Sequence, residues 1–578
     1  MDHKSVTTEV FETPFLHVFY RSIWTALALV HLVILAALLS WIAIETRPVT
    51  MPGLELAQGE KLRCVSYAPF HRPGQTPFDE SLIIPRQQIE EDLRALSAIT
   101  GCVRTYSTDK GLDRVPAIAN ELGLKVLLGA WIGYVSEKNA LELERAITLA
   151  NAYPDTVRTI IVGNEVLLRR ERTATEMRAL LDSVRAKSPV PVTYADVWEF
   201  WLKNTELAAH VDFITVHILP FWEDEPVDIG EALAHVAEAR EKVDAAFAGK
   251  PILIGETGWP SAGLQRGESL PSKINQARHI REFVRRAHDL GWDYNLIEAI
   301  DQPWKRELEG TVGGFWGMLD ADTLQPKFPI EGPVSERESI AAPLIGVGVG
   351  ALLLLALTGR SRTPQRLAAL ALTGATTGLI AILHAEHARL AYFSLTHWIA
   401  LGAVALAALA ACAALARWSG NPLTAADIAW QRVRGARLDA DAADVLSALR
   451  GFLLFAAAIA ALLLLIAPRY RDFPSLLYLT PAAIYGVIGW LQGSAFSRAE
   501  RICAALIAVC AIGRFEPANP QAIGWLLICL ALALPVLARY RSIGSQQGKK
   551  PQQRPDGSVI GAVQHQPRHT GEPADPGA

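Results

Sequence analysis

Two glutamates stand at the ends of short β-branched runs: Glu165 in Ile161-Val162-Gly163-Asn164-Glu165-Val166, and Glu256 in Ile254-Gly255-Glu256-Thr257-Gly258-Trp259-Pro260-Ser261. Both runs read as strands punctuated by glycine, so each carboxyl is expected at a strand's C-terminal end. A facing pair of carboxyl groups can divide one task. One donates a proton while the other stabilises or captures a developing positive centre. The two residues are distant in the chain, so the fold must close on itself to bring them face to face.

The elements that would do this are legible between residues 59 and 335. Short apolar or β-branched runs recur at 63–68, 102–106, 125–131, 159–163, 191–195, 213–217, 252–255 and 294–300. Between them lie segments with apolar residues at three- and four-residue steps, at 88–98, 141–150, 231–247 and 273–290, the period of an amphipathic helix. Thr173 followed by Glu176 is a capping-box pattern that opens another. Strands alternating with helices imply a parallel sheet, and eight of them over this length fit an α/β fold of the (β/α)8 TIM-barrel type. An open doubly wound sheet is the alternative. It is disfavoured because no glycine-rich phosphate turn follows the first strand and because polar and aromatic residues recur at the strand ends. No eighth helix is visible: after residue 300 the chain runs through Asp301-Gln302-Pro303-Trp304-Lys305 and Gly313-Gly314-Phe315-Trp316-Gly317, the pattern of a long rim loop.

The two glutamate segments resemble the signature motifs of glycoside hydrolase family 17, the β-1,3-glucanases and related β-glucan transglycosylases. The resemblance covers roughly residues 59–335. The Glu-Thr-Gly-Trp-Pro-Ser element is specific, whereas Gly-Asn-Glu is shared with a wider clan of retaining barrel glycosidases. Membrane-attached bacterial members are similar further through Cys64-Val65-Ser66-Tyr67-Ala68-Pro69-Phe70, through Tyr194-Ala195-Asp196-Val197-Trp198-Glu199-Phe200-Trp201 and through Asp301-Gln302-Pro303-Trp304-Lys305. The last departs from the plant Asp-Glu-Asn pattern, so the plant accessory carboxylate does not transfer to Gln302. The resemblance implies that Glu165 is the acid/base and Glu256 the nucleophile, with carboxyls ~5 to 5.5 Å apart and retention of configuration. An acid must hold its proton near neutrality, and the Glu256 anion is expected to raise the Glu165 pKa. Asn164 resembles the residue that contacts the sugar 2-hydroxyl, its other reading being a turn residue. Arg104, Tyr106, Tyr194, His217, Trp259, Trp304, Lys305 and Trp316 sit at or just past strand ends and are candidates for holding sugar. For Tyr194 and His217 a structural role weighs equally. Trp259 and Trp304 are favoured because aromatics in rim loops must otherwise be hidden.

The rest of the chain belongs to a different solvent. Of 578 residues 51% are hydrophobic, yet 20% are charged, which implies a water-soluble part joined to a lipid-soluble one. Residues 23–44 form an uncharged apolar run read as an uncleaved membrane helix, in preference to a signal peptide. Seven more apolar runs lie at 341–358, 367–383, 398–416, 451–467, 476–491, 502–513 and 522–538. The run at 502–513 is short for a span. The expected organisation is therefore a cytoplasmic segment 1–22, an anchor 23–44, a linker 45–58, the barrel 59–335, a bundle of about seven transmembrane helices at 341–538 and a disordered cytoplasmic tail 539–578. Arginines gather in alternate loops, at Arg360, Arg362 and Arg366, at Arg417, Arg432, Arg434 and Arg437, at Arg498 and Arg501, and after the last run at Arg539, Arg541, Lys549 and Lys550. The positive-inside rule puts these loops and both termini in the cytoplasm and the barrel on the periplasmic side of the inner membrane.

A net charge of −4 and the absence of zinc-like cysteine spacing or a phosphate loop leave nucleic acid and nucleotides without support. No cofactor is expected. His384, Glu386 and His387 cluster at a membrane boundary but lack a third convincing His or Cys nearby, and no metal is assigned. Cys412, Cys503, Cys510 and Cys529 lie in apolar runs as small hydrophobes. Cys64 and Cys102 begin two predicted neighbouring strands; a disulfide is one reading, and two free buried thiols is the plainer one. The leading function is a retaining enzyme that cleaves β-1,3-glucan and passes the glycosyl unit to water or another glucan, with the bilayer and a membrane glucan synthase as partners. A non-catalytic glucan-binding or export component is the alternative. A membrane glycosyltransferase would need a donor site that the sequence does not offer.

Overall fold

The computed structural model describes residues 23–56, 59–358, 363–436 and 440–546. The segment 1–22, most of the tail, and the loop arginines Arg360, Arg362 and Arg437 lie outside the described residues. The chain enters through helix α1 (Ile23–Glu45) and then builds, in order, β1 (Val65–Ser66), α2 (Arg86–Ser97), β2 (Cys102–Arg104), α3 (Val115–Glu121), β3 (Lys125–Ala130), α4 (Ser136–Ala152), β4 (Val157–Asn164), α5 (Ala174–Arg185), β5 (Val192–Val197), α6 (Trp198–Lys203), β6 (Ile214–His217), α7 (Ile229–Ala246), β7 (Ile252–Thr257), α8 (Lys273–Asp289), β8 (Asp293–Leu296) and a single-turn helix α9 (Arg306–Glu309). The eight strands pair in sequence order, all parallel, and Val65 of β1 pairs with Leu296 of β8 to close the barrel. The open-sheet alternative is thereby set aside.

Each strand run anticipated from β-branched composition overlaps one of these strands, and the capping box of Thr173 and Glu176 does open α5. Alternate strand residues such as Val103, Val126, Leu128, Ile160, Val162 and Ile254 face outward into the core shared with the helices. Cys64, Cys102, Leu127, Ile161, Ala195 and Leu253 form a separate apolar layer inside the barrel. Because side chains alternate with a period of two, two residues further along these strands stand Ser66, Arg104, Gly129, Gly163, Val197 and Gly255. Apart from Val197, these positions are polar or lack a side chain, and so the apolar layer gives way just below the mouth. Gly255 is required there: a Cβ would sit 2.5 Å from Thr215 Cγ2 and 3.2 Å from His217 Cδ2. Within the apolar layer Cys64 and Cys102 are joined by a disulfide, which replaces the free-thiol reading. The pairing of β1 with β2 aligns Val65 with Val103, and so brings the preceding cysteines side by side with Cα atoms 4.4 Å apart, the separation a bridge requires.

After β8 the chain climbs the rim through α9 and returns to pair Val334 with Val49 in an isolated antiparallel bridge. It then enters α10 (Ala341–Ala356), α11 (Pro364–Ala391), α12 (Leu395–Arg417), α13 (Ala426–Ala436), α14 (Ala442–Ile466), α15 (Ser475–Leu491), α16 (Arg498–Gly513) and α17 (Pro520–Gln546). Among the described residues, five helices are long and apolar enough to cross a membrane: α1, α11, α12, α14 and the stretch Pro520–Ala538 of α17, with α10 and α15 shorter but apolar. The short run at 502–513 is part of α16, whose N-terminus carries a capping box of Ser497 and Glu500. Helix α13, with basic and apolar faces, was not anticipated; its alternation is too brief to separate from a loop. Helices α10 and α11 approach through paired glycines, Gly346 and Gly350 against Gly378 and Gly374, and a Cβ at Gly374 would collide with the Gly350 carbonyl. Small residues four apart permit this close contact in apolar surroundings.

Barrel and bundle are in direct contact. Arg337 binds both oxygens of Glu386, at 3.0 and 2.7 Å, and reaches Glu45 at 3.4 Å. Asn519 donates to the Gln265 carbonyl at 3.1 Å, and Arg306 to that of Leu390 at 2.7 Å. A shared apolar cluster includes Phe221, Trp259, Val312 and Trp316 of the barrel rim together with residues of the bundle. Replacing Gly374 by Leu should force α10 from α11 and cost about 1–3 kcal/mol or more, read as a lower Tm of the full-length protein in detergent; an unchanged Tm would show that these helices are not held by their glycine faces.

Candidate active site

Glu165 and Glu256 face one another across the barrel mouth with His217 between them. Donor atoms of the three lie within 4.8 Å of one another. Glu165 is delivered by an irregular end of β4, where the pairing with β5 shifts register between Ile161 and Asn164. Gly163 takes φ +83° and Glu165 itself φ +54°. At Gly163 a Cβ would lie 2.5 Å from Val166 Cγ2, so glycine is needed at the turn that lifts the next two side chains into the mouth. A non-glycine residue with positive φ is sparsely populated and concentrates at functional sites. Glu256 extends from β7, where pairing with β6 is likewise irregular between Val216 and His217.

Arg104 organises the floor. Its guanidinium is buried and donates to Glu256 Oε1 at 3.0 Å, to the Gly255 carbonyl at 2.7 Å and to Asn164 Oδ1 at 2.5 Å. It also lies 3.3 Å from His217 Nε2, so Nε2 is the accepting nitrogen and Nδ1–H donates to Glu165 Oε1 at 2.9 Å. The Tyr106 hydroxyl donates to Glu256 Oε1 at 2.9 Å, with Ser66 Oγ at the same distance on its other side. Burial first, and then the Glu256 charge, push the Tyr106 phenol well above its ordinary value, so it stays protonated and remains a donor. One carboxylate oxygen of Glu256 is held by a cation and a phenol. That arrangement fixes the direction of the carboxylate.

The Glu165 carboxyl differs from the sequence expectation. Burial is the largest influence and pushes it up, but the hydrogen bond from His217, and then the electrostatic attraction of His217, Arg169 and Arg104, outweigh burial and hold it below the ordinary Glu value. Glu256 is not the neighbour that decides it; the hydrogen bond from His217 and the nearby arginines are. Arg169 is itself fixed by Glu171 at 2.6 Å and by the Trp131 ring at 4.2 Å.

The residues chosen from sequence divide into two layers. Tyr106, Asn164, Glu165, His217, Glu256, Trp304, Lys305 and Trp316 line one cleft of ≈ 1330 Å³. Arg104 lies beneath it as the floor. Tyr194 is buried behind Glu165; its hydroxyl accepts from the Leu167 amide at 3.0 Å and donates to Asp196. Trp259 is buried against Phe221 and His279, its indole N–H bonded to the Leu270 carbonyl at 3.0 Å. Sequence reading passed over Glu298, whose carboxylate receives Lys305 Nζ at 3.0 and 2.9 Å on the cleft wall. Burial raises it to about 7 against the opposing pull of Lys305. It sits just past β8, and in sequence it was absorbed into the predicted strand 294–300. Trp131, Tyr134, Trp222 and Glu309 also line the cleft; Trp131 directly follows β3, a position that could have marked it. The candidate metal cluster is dispersed: Glu386 pairs with Arg337, His384 Nε2 lies 3.3 Å from the Tyr392 hydroxyl and His387 3.9 Å from Asp472.

Residues 64–317 match the family model of the BtgE/BtgC glycoside hydrolase domain. A glucan 1,3-β-glucosidase of Candida albicans is 26% identical over 264 residues, covering 40% of this chain and 83% of that protein. A probable β-glucosidase btgE of Aspergillus flavus is 28% identical over 225 residues, covering 38% of this chain and 36% of that protein; the chain thus spans about a third of that relative's length. Among solved structures, a glycoside hydrolase family 17 β-1,3-glucanosyltransferase from Rhizomucor miehei is 25% identical, with 47% of this chain and 97% of that chain covered and a TM-score of 0.41.

Because His217 is the main force lowering the Glu165 carboxyl, His217→Ala should move that group's pKa upward, through and above the model-peptide value of ~4.3. A pH titration of the labelled carboxyl carbon by NMR reads this directly. An unmoved Glu165 would mean that the arginines alone set its charge.

Proposed function

We propose, on the premise that the chain's barrel belongs to glycoside hydrolase family 17, that this enzyme cleaves β-1,3-glucan through a covalent glycosyl-enzyme intermediate with Glu256 as nucleophile and Glu165 as acid/base. The observation that carries the reading is the pair of carboxylates whose oxygens come within 4.8 Å across the mouth, from the ends of β4 and β7, near the close spacing of retaining enzymes rather than the wider gap that admits an attacking water.

In the first half-reaction Glu256 attacks the anomeric carbon, forming an ester, while the glycosidic C–O bond breaks and Glu165 gives its proton to the departing oxygen. Arg104 and Tyr106 both engage Oε1, so bond formation falls to Oε2. In the second half-reaction water or a glucan hydroxyl yields its proton to Glu165 and its oxygen attacks the same carbon, releasing Glu256 and restoring the acid. A sugar that parts Glu165 from His217 removes the largest influence holding the carboxyl down, leaves burial opposed only by the Arg169 and Arg104 charges, and so shifts the group toward the protonated acid that the leaving oxygen requires. Asn164, oriented by Arg104 at 2.5 Å, supplies a polar contact next to the nucleophile.

The five long apolar helices support a membrane location. In this reading the bundle lies in the bilayer, with the 59–335 barrel on the periplasmic side and both termini in the cytoplasm, as the loop arginines indicate. The Cys64–Cys102 disulfide fits an oxidising compartment. A membrane glucan synthase would supply the substrate.

Full-length protein and its Glu256→Ala variant, incubated with a defined β-1,3-gluco-oligosaccharide, test the reading. Wild type should yield products of retained anomeric configuration by NMR, with shorter chains for hydrolysis and longer or newly linked chains for transglycosylation, and the variant none; intact sugar from wild type would overturn it. Glu165→Ala should lower the rate on the oligosaccharide by ~10²–10⁴-fold, and much less on a glycosyl fluoride, whose leaving group needs no proton. Equal losses on both would remove Glu165 from the acid role.

A further inference from the structure

The catalytic cleft does not end at the barrel. Its wall includes Arg469 and Tyr470, which belong to the loop 467–474 between α14 and α15 of the apolar bundle. We infer that this loop builds a saccharide subsite of the cleft, so that the membrane bundle, together with the barrel, determines which glucan chains are processed. The inference rests on the proposed glucan activity and extends it to residues outside the barrel.

The loop is seated rather than merely nearby. The Tyr470 backbone packs onto Gly310, at the end of α9, so closely that any side chain there would collide with the Tyr470 carbonyl. The Thr311 hydroxyl donates to the Asp472 carboxylate. These contacts bring the Tyr470 ring to 6.3 Å from Trp222, edge to face at 68°. Trp222 in turn stacks on Trp316, at 5.9 Å and 18°. The Arg469 guanidinium lies 5.8 Å from the Trp222 ring and 5.7 Å from the Tyr470 ring.

The chemistry fits a pyranose better than a lipid chain or a protein helix. Flat aromatic faces accept the C–H face of a sugar ring, and charged groups at their margins bond its equatorial hydroxyls. Here the aromatics are Trp222 and Tyr470, and the charged groups are Arg469, Glu223 and Asp224, all lining the cleft that holds Glu256. Tyr470 is 43% exposed although it sits at a protein–protein seam, which leaves ring surface for a ligand. Continuity with the catalytic groups makes the occupant another unit of the same glucan chain.

The test uses the full-length protein in detergent. Tyr470→Ala should lower kcat/KM for long β-1,3-gluco-oligosaccharides about tenfold, the scale of one aromatic contact, with a distinctly smaller loss on the shortest cleaved oligosaccharide. Tyr470→Trp should recover the long substrates, and Arg469→Ala should shift the product-length profile in the same sense as Tyr470→Ala. Equal losses on short and long substrates, or failure of Trp to rescue, would show that the loop only braces the barrel and would overturn the inference while leaving the catalytic reading intact. Binding of the long oligosaccharide to Glu256→Gln protein, followed by tryptophan fluorescence, separates the two levels. If that protein binds and adding Tyr470→Ala leaves its affinity unchanged, the subsite is wrong; if no glucan is bound or cleaved at all, the glucan reading falls and takes the subsite with it.

Discussion

A positive charge buried at the mouth of a barrel dominates this site. Arg104 has little access to water, and an unpaired guanidinium there would be costly. Its surroundings answer that cost with a carboxylate, a side-chain amide oxygen and a main-chain carbonyl. The same contacts that satisfy the arginine aim Glu256, Asn164 and His217, and His217 then sets the charge on Glu165. Stability of the floor and poise of the two carboxylates are therefore one problem with one solution. Room for it comes from Gly255 and Gly163, where side chains would strike His217's strand or Val166.

The barrel was legible in the sequence because buried parallel strands are rich in Val, Ile and Leu, and each of the eight runs overlaps a strand. Glu165 and Glu256 were legible because glycine-marked strand ends point into a barrel mouth, although their roles rest on chemistry and resemblance rather than on the pattern itself. What local pattern could not give was depth. Tyr194 within β5 and Trp259 just past β7 look in sequence like Tyr106 just past β2, yet they turn away from the cleft, and only packing against Asp196 in one case and Phe221 in the other decides this. The expected effect of Glu256 on Glu165 failed for a related reason: sequence shows which charges exist but not that His217 stands between the two carboxylates. The disulfide required the register of β1 against β2, a long-range quantity.

The bundle's part in the cleft was further out of reach. Arg469 and Tyr470 lie some three hundred positions from Glu165 in a stretch that reads as a hydrophilic link between apolar helices. They reach the barrel only because Gly310 and Thr311 accept the loop and because Arg337 clasps Glu386 and Glu45. Interfaces between a soluble and an apolar unit leave no periodicity in either, since each contributes isolated contacts.

The bridge between Val49 and Val334 brings the chain's way into the barrel beside its way out. Seen from the helices, the whole catalytic unit is inserted at one place in the chain, between α1 and α10. A unit tethered in this way can be lengthened, replaced or lost during gene rearrangement without altering the spacing of the helices around it. The two halves of the protein can in that sense have separate ancestries, even though the seam between them has since become closely fitted.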